Sequence, residues 1–274
     1  MAAAATPSLR TAPAAIQRDD GITVCAIAAL AFMLSDVLHE GLGHACTALL
    51  TIAPAGVIST VAWSSAYDSK LIDAAGTLVN LAAAAVFWLL LKALSSASAQ
   101  TRLFLLLCCA FNLLTGTGYF FFSGVTNFGD WAGVIYGLHP YLAWRIGLIL
   151  VGILTYWASV IAIGSGVVRY LGVPLTERTR YWRLALTSYL SAIVISTLGG
   201  LMNPAGLKYV LLSSLPATAG AGCGLLWMRY CVSTSTAPIV GSEPVSRSRV
   251  WISASAIVSL FFVFVLGRGI PLHR

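Results

Sequence analysis

Apolar positions along this chain come in unbroken runs with no strand-like alternation, and seven runs stand out: 22–50, 71–94, 102–122, 143–168, 183–201, 207–229 and 250–267. Each can cross a hydrocarbon core roughly 30 Å thick at about 1.5 Å per residue, so each predicts a transmembrane helix. An outer-membrane barrel is excluded, because its strands alternate apolar and polar residues over short segments. Helices are then the remaining way to satisfy the backbone in lipid. The first run is longer than one crossing needs and its second half is polar, which predicts a helix that continues past the hydrocarbon or enters a wet cavity. The connection 53–70 has β-branched and aromatic residues bounded by Pro, Gly and Ser, the pattern of a short hairpin or re-entrant segment. Pro216 predicts a kink in the sixth span. The expected fold class is an all-α polytopic transmembrane bundle. It divides into a disordered, cytoplasmic N-terminal tail at 1–20, a core of three spans at 21–138, further transmembrane helices at 139–231, a flexible linker at 232–249 and a last span with its tail at 250–274.

Composition supports this picture and removes others. The chain of 274 residues is 58% hydrophobic and only 9% charged, with a mean hydropathy of +0.87, whereas soluble domains carry roughly 25% charged residues. The net charge of +7 is no nucleic-acid signature, since the sixteen Lys and Arg sit singly or in small groups between apolar runs. That placement suits the headgroups of a lipid bilayer. With the N-terminus inside, eleven of those sixteen fall in inner segments, which favours a cytoplasmic N-terminus. The first twenty residues hold no apolar core of the kind a cleavable signal peptide needs. The six cysteines lie in or beside apolar segments without paired metal-type spacing and read as reduced packing residues. The expected location is a multi-pass protein of a prokaryotic plasma membrane.

Ionisable groups inside a bilayer cost on the order of 2.5–3.5 kcal/mol each, so a cluster of them needs a reason. The first span contains one, S-D-V-L-H-E-G-L-G-H-A-C, with Asp36, His39, Glu40 and His44 in an otherwise apolar helix. A His-Glu pair followed closely by a second His points to metal binding, against the plain alternative of a polar stripe facing other helices. The familiar zinc helix is H-E-x-x-H, in which imidazoles four residues apart share a face and the Glu acts as general base. Here the two imidazoles are five apart, which in a regular helix turns them about 140° away from each other. Two solutions remain open. A π-bulge absorbs the extra residue, with Gly41 and Gly43 supplying backbone freedom. Alternatively the helix stays regular, Glu40 and His44 are the ligands, and His39 is a neighbouring base. Asp36, three residues before His39, is a candidate to orient an imidazole. His139 and His273 read as solvated or interfacial, and Asp68 and Asp73 as interfacial.

H-E-G-L-G-H-A resembles, with one residue inserted, the H-E-x-G-H-A helix of the site-2 protease family of intramembrane zinc metallopeptidases. A-A-G-T-L-V-N-L at 74–81 is similar to that family's G-P-x-x-N-L segment, with Thr77 in place of the proline and Asn80 in the asparagine position. F-N-L-L-T-G-T-G-Y-F at 111–120 resembles its N-L-L-P-x-P segment, with Asn112 in the asparagine position. The likeness covers residues 30–135. It implies a third, acidic ligand beyond that last segment. The aspartate expected about eight residues after Asn112 is missing, and between residues 74 and 176 the chain offers one acid, Asp130, eighteen residues along. The alternative for Asp130 is a loop residue capping the helix that begins near Trp131. The resemblance thus implies Zn²⁺ held by His39, His44 and Asp130, Glu40 as general base, and a transmembrane protein substrate. Asn80 and Asn112 are candidates for holding substrate backbone or an oxyanion, or else are glue between helices. The rival reading is a non-enzymatic transporter or scaffold with a degenerate core of this kind, because the last four spans show no chemistry.

Overall fold

The computed structural model describes residues 18–274. Its helices, in chain order, are α1 (Gly21–Thr51), α2 (Lys70–Ala93), α3 (Ala99–Thr126), a short α4 (Asp130–Ile135), α5 (Tyr141–Leu171), α6 (Arg178–Met202), α7 (Leu207–Cys231) and α8 (Arg249–Arg268). All except α4 are long and apolar enough to cross a membrane, and these seven coincide with the seven runs read from the sequence. The chain is therefore an all-α integral membrane protein. Of the tail expected at 1–20, residues 1–17 lie outside the described residues.

The 53–70 connection contains a hairpin, β1 (Ala55–Ile58) and β2 (Trp63–Ser64), paired antiparallel with Val57 opposite Ser64. A third strand that periodicity did not indicate, β3 (Ile270–His273), lies antiparallel on the other edge of β1, with Ala55 opposite His273. The last residues of the chain thereby hold the hairpin over the end of α1.

Helices α1 and α3 are the inner spans, 56% and 67% buried along their most apolar stretch, against 28% for α5 and α8. Ile27, Ala28, Ala31 and Phe32 of α1 pack with Leu103, Leu106 and Phe111 of α3, and the Phe32 and Phe111 rings meet edge to face at 5.7 Å. Burying apolar side chains does not by itself associate helices in lipid, so close packing and polar contacts carry more of the specificity. Helix ends are capped accordingly. Asp20 accepts from the Thr23 amide at 2.9 Å and its hydroxyl at 2.7 Å, bonds that hold its carboxyl below the ordinary value. Arg145 of α5 donates to the carbonyls of Gly124 at 3.0 Å and Val125 at 2.8 Å in the last turn of α3, where orphan carbonyls and the helix dipole favour a cation.

Residues 232–248, expected to be a flexible linker, form neither helix nor strand but are tied down at several points. Asp19 accepts from the Val245 amide at 2.7 Å and takes Arg180 bidentately at 2.8 and 3.0 Å. Glu243 meets Arg102 at 3.0 Å.

Candidate metal centre

The five-residue spacing of the histidines is accommodated by a wide turn: residues Leu38–Ala45 within α1 form a π-helix. The extra residue per turn brings His39 and His44 onto one face, with their Nε2 atoms 3.1 Å apart and their rings nearly perpendicular at 4.7 Å. The regular-helix alternative, with Glu40 and His44 as ligands, is not the arrangement adopted. Neither Gly41 nor Gly43 has the positive φ that would demand glycine. Gly43 matters for clearance instead, since a Cβ on it would sit 2.6 Å from the Gly76 Cα of α2. Gly76 passes as closely behind the ligands, where its own Cβ would lie 2.6 Å from His39 Cε1. Two hydrogen-only positions thus let α2 back directly onto the imidazole pair.

Asp130 reaches the same point by a detour. Helix α3 runs on to Thr126, ends on Asn127 in the left-handed conformation (φ 57°), and turns back through Gly129 (φ 83°), where a side chain would be strained. Asp130 then opens α4 without capping it, because the N-cap is Gly129 and no side chain bonds there. The short helix is pinned by Trp131, whose Nε1 donates to Thr77 Oγ1 at 3.0 Å and whose ring lies 4.7 Å from Phe120. Thr77 is the residue standing where the resembling family has proline. The longer interval from Asn112 to the acid is therefore taken up by extra helical turns and a reversal.

Asp130 Oδ2 stands 3.3 Å from His39 Nε2 and 3.4 Å from His44 Nε2. With the 3.1 Å between the imidazoles, these atoms form a nearly equilateral triangle. Its corners lie about 1.9 Å from its centre, so an ion just off that plane meets all three at the roughly 2.0–2.2 Å typical of tetrahedral zinc-type sites. The other ring nitrogens fix this orientation. His39 Nδ1 faces Asn80 Oδ1 at 2.6 Å and His44 Nδ1 faces the Ile72 carbonyl at 2.7 Å. Both partners accept, so each Nδ1 carries the proton and each Nε2 turns its lone pair inward. Two lone pairs and a carboxylate oxygen that makes no directed hydrogen bond then converge on one point, an arrangement that repels itself unless a cation sits among them. His39, His44 and Asp130 form the one such ligand group among the described residues.

Glu40 is 6% exposed, and its Oε2 has no hydrogen-bond partner. It borders, with His44, Asp130 and Tyr119, a cavity of about 310 Å³ that the hairpin covers through Val61–Ser65. Asp68 and Asp73 line the same cavity. Asn80 and Asn112 sit between the helices behind His39. Both are fully buried, and their amides are spent internally: Asn80 Nδ2 donates to Asn112 Oδ1 at 3.1 Å and Ser35 Oγ at 3.3 Å, and Asn112 Nδ2 donates to the Cys108 carbonyl at 2.8 Å. They form a chain that steadies His39. Asp36 makes no bond to either imidazole, Asn80 having that place. His139 and His273 are exposed and take no part.

Sequence reasoning passed over Tyr119, whose ring stacks on His39 at 5.2 Å, and Gly76, whose signal was the small-residue run A-A-G-T on one span. The Ile72 carbonyl had no signal, since any residue supplies one. Comparisons of this chain with protein-family models, with curated proteins and with solved structures give no match.

Proposed function

We propose that this protein is a zinc-dependent intramembrane peptidase that hydrolyses membrane-embedded protein substrates. The observation that carries the reading is the convergence of two imidazole lone pairs and one carboxylate oxygen at tetrahedral separations beside a buried glutamate with an unpaired carboxylate oxygen. His39, His44 and Asp130 are the residues that would hold the ion, and their donor set of two nitrogens and one oxygen leaves a coordination position open, as hydrolytic zinc sites do. When bound, zinc supplies Lewis acidity and brings the pKa of a coordinated water to about 7. Glu40 accepts the proton of the attacking water on its carboxylate and delivers it to the amide nitrogen as the carbon–nitrogen bond breaks. Its position next to His39 in the π turn keeps that carboxylate beside the ligands. The hairpin and α4 shelter the cavity, so water is metered in a site that lies at the end of spanning helices.

The test is metal content and cleavage together, on detergent-purified protein. Wild type is expected to carry zinc and to cleave a co-expressed single-span reporter. His44→Ala should lose the zinc, and Glu40→Gln should keep it while losing cleavage. Equal zinc in wild type and His44→Ala would end the metal assignment. Full cleavage by Glu40→Gln would remove the glutamate from its role, and zinc without any cleavage would turn the reading to a metal-binding transporter or scaffold.

A further inference from the structure

One turn before Glu40, Asp36 presents a second carboxylate in the same spanning helix, and nothing in the hydrolytic reading employs it. Its Oδ2 is buried without a hydrogen-bond partner, as is Glu40 Oε2. Both residues line one small cavity of about 20 Å³, together with Ser35, His39, Thr115, Tyr119 and Ser213. No lysine or arginine borders it, and the imidazole that Asp36 might otherwise meet is taken by Asn80. Buried polar atoms are rarely left unpaired, and two of them facing one enclosed space call for a shared partner. A cavity above roughly 10–15 Å³ with two to four polar neighbours has the size and lining of a single-water site.

We propose that one internal water bridges Asp36 and Glu40, donating one O–H to each carboxylate, and that Asp36 is through it the positioning residue for Glu40. The water site itself stands on the two orphan oxygens and the cavity. Its catalytic consequence rests on the peptidase reading above. The bridge fixes the Oε2 side of the Glu40 carboxylate, so that proton transfer falls to its other oxygen. It also accounts for a second acid in this spanning helix, where an unbridged carboxylate costs energy.

The experiment is a high-resolution density map of the full-length chain in lipid nanodiscs, paired with reporter kinetics of Asp36→Leu and Asp36→Asn. A peak is expected at hydrogen-bond distance, about 2.5–3.0 Å, from both carboxylates in wild type. Asp36→Leu should lose the peak and lower kcat about tenfold, the consequence of leaving one buried acceptor unpaired, with KM and zinc content unchanged. Asp36→Asn retains a polar group and should recover kcat to within about threefold. An empty cavity in wild type, a peak at cation-coordination distance, or equal kcat in both variants and wild type overturns the proposal. A peak in a protein that cleaves no reporter would leave the water in place while removing the peptidase reading and the positioning role with it.

Discussion

Two spanning helices of this protein contain π turns, and only one of them supplies the candidate ligands. In α1 the π turn at Leu38–Ala45 gathers His39 and His44 onto one face and keeps Glu40 beside them. In α7, π turns at Val210–Ser214 and Pro216–Gly220 are followed by a 3₁₀ turn at Ala221–Cys223. The cause there is local, since proline removes one helical hydrogen bond and its ring pushes against the preceding turn. The loosened carbonyls are then taken by neighbours: Tyr189 donates to Ala219 at 3.0 Å and Tyr156 to Ala221 at 2.5 Å. The distortion of α7 is absorbed by hydroxyls from α6 and α5, whereas that of α1 is imposed from outside by α2 packed against its glycine and by acceptors on both imidazoles. In α1 the surroundings use the new side-chain directions to gather candidate ligands, and in α7 neighbouring hydroxyls repair the backbone.

The largest break in this contrast should come from Gly76→Val. A Cβ at this position already overlaps the imidazoles, so a branched side chain must displace α2 or rotate the ligands. Zinc in the purified protein, measured by mass spectrometry, is expected to fall to background while the protein still inserts and solubilises. A metal content near wild type would mean that the π turn holds its geometry without α2. The next effect belongs to Asn80→Leu, which removes the acceptor opposite His39 Nδ1 and breaks the chain to Asn112. Removing such an outer partner weakens metal binding roughly 10–100-fold. A competition titration with a chelator should show a loss of that order, and one below threefold would make Asn80 mere packing.

The difference between the two helices also marks how far the residues could be read beforehand. All seven spans were legible because continuous apolar length is a property of each segment alone. Counting narrowed the ligand helix to two solutions, since a five-residue spacing cannot serve one metal in a regular helix: a π-bulge, or a regular helix with Glu40 and His44 as ligands, of which the chain adopts the first. Asp130 could be named because acids are so scarce here, although its route back through Asn127 and Gly129 could not. Partners that depend on tertiary packing stayed hidden. Asn80 was read as a substrate-holding group or as glue between helices, but its bond to His39 Nδ1 was not foreseen, and no residue type could have announced the Ile72 carbonyl. The strand β3 escaped for the same reason, since four residues after an apolar helix have no periodicity to show and pair only because β1 is near.

The smallest expected effect tests the other side of the contrast, that α7 is repaired and not functional. Tyr156 donates to the Ala221 carbonyl and accepts from the Gly224 amide at 2.9 Å. Tyr156→Phe leaves both backbone groups without that partner inside a span. Hydrogen bonds in such settings are worth about 1 kcal/mol, because loosened backbone groups find other partners. The thermal unfolding midpoint in detergent should therefore drop by a few degrees, on the order expected for about 1 kcal/mol, with zinc content and reporter cleavage as in wild type. Lost metal or lost cleavage at unchanged thermal stability would show that the irregular stretch of α7 communicates with the ligands. The division between an irregular helix that makes chemistry and one that merely tolerates a proline would then have to be given up.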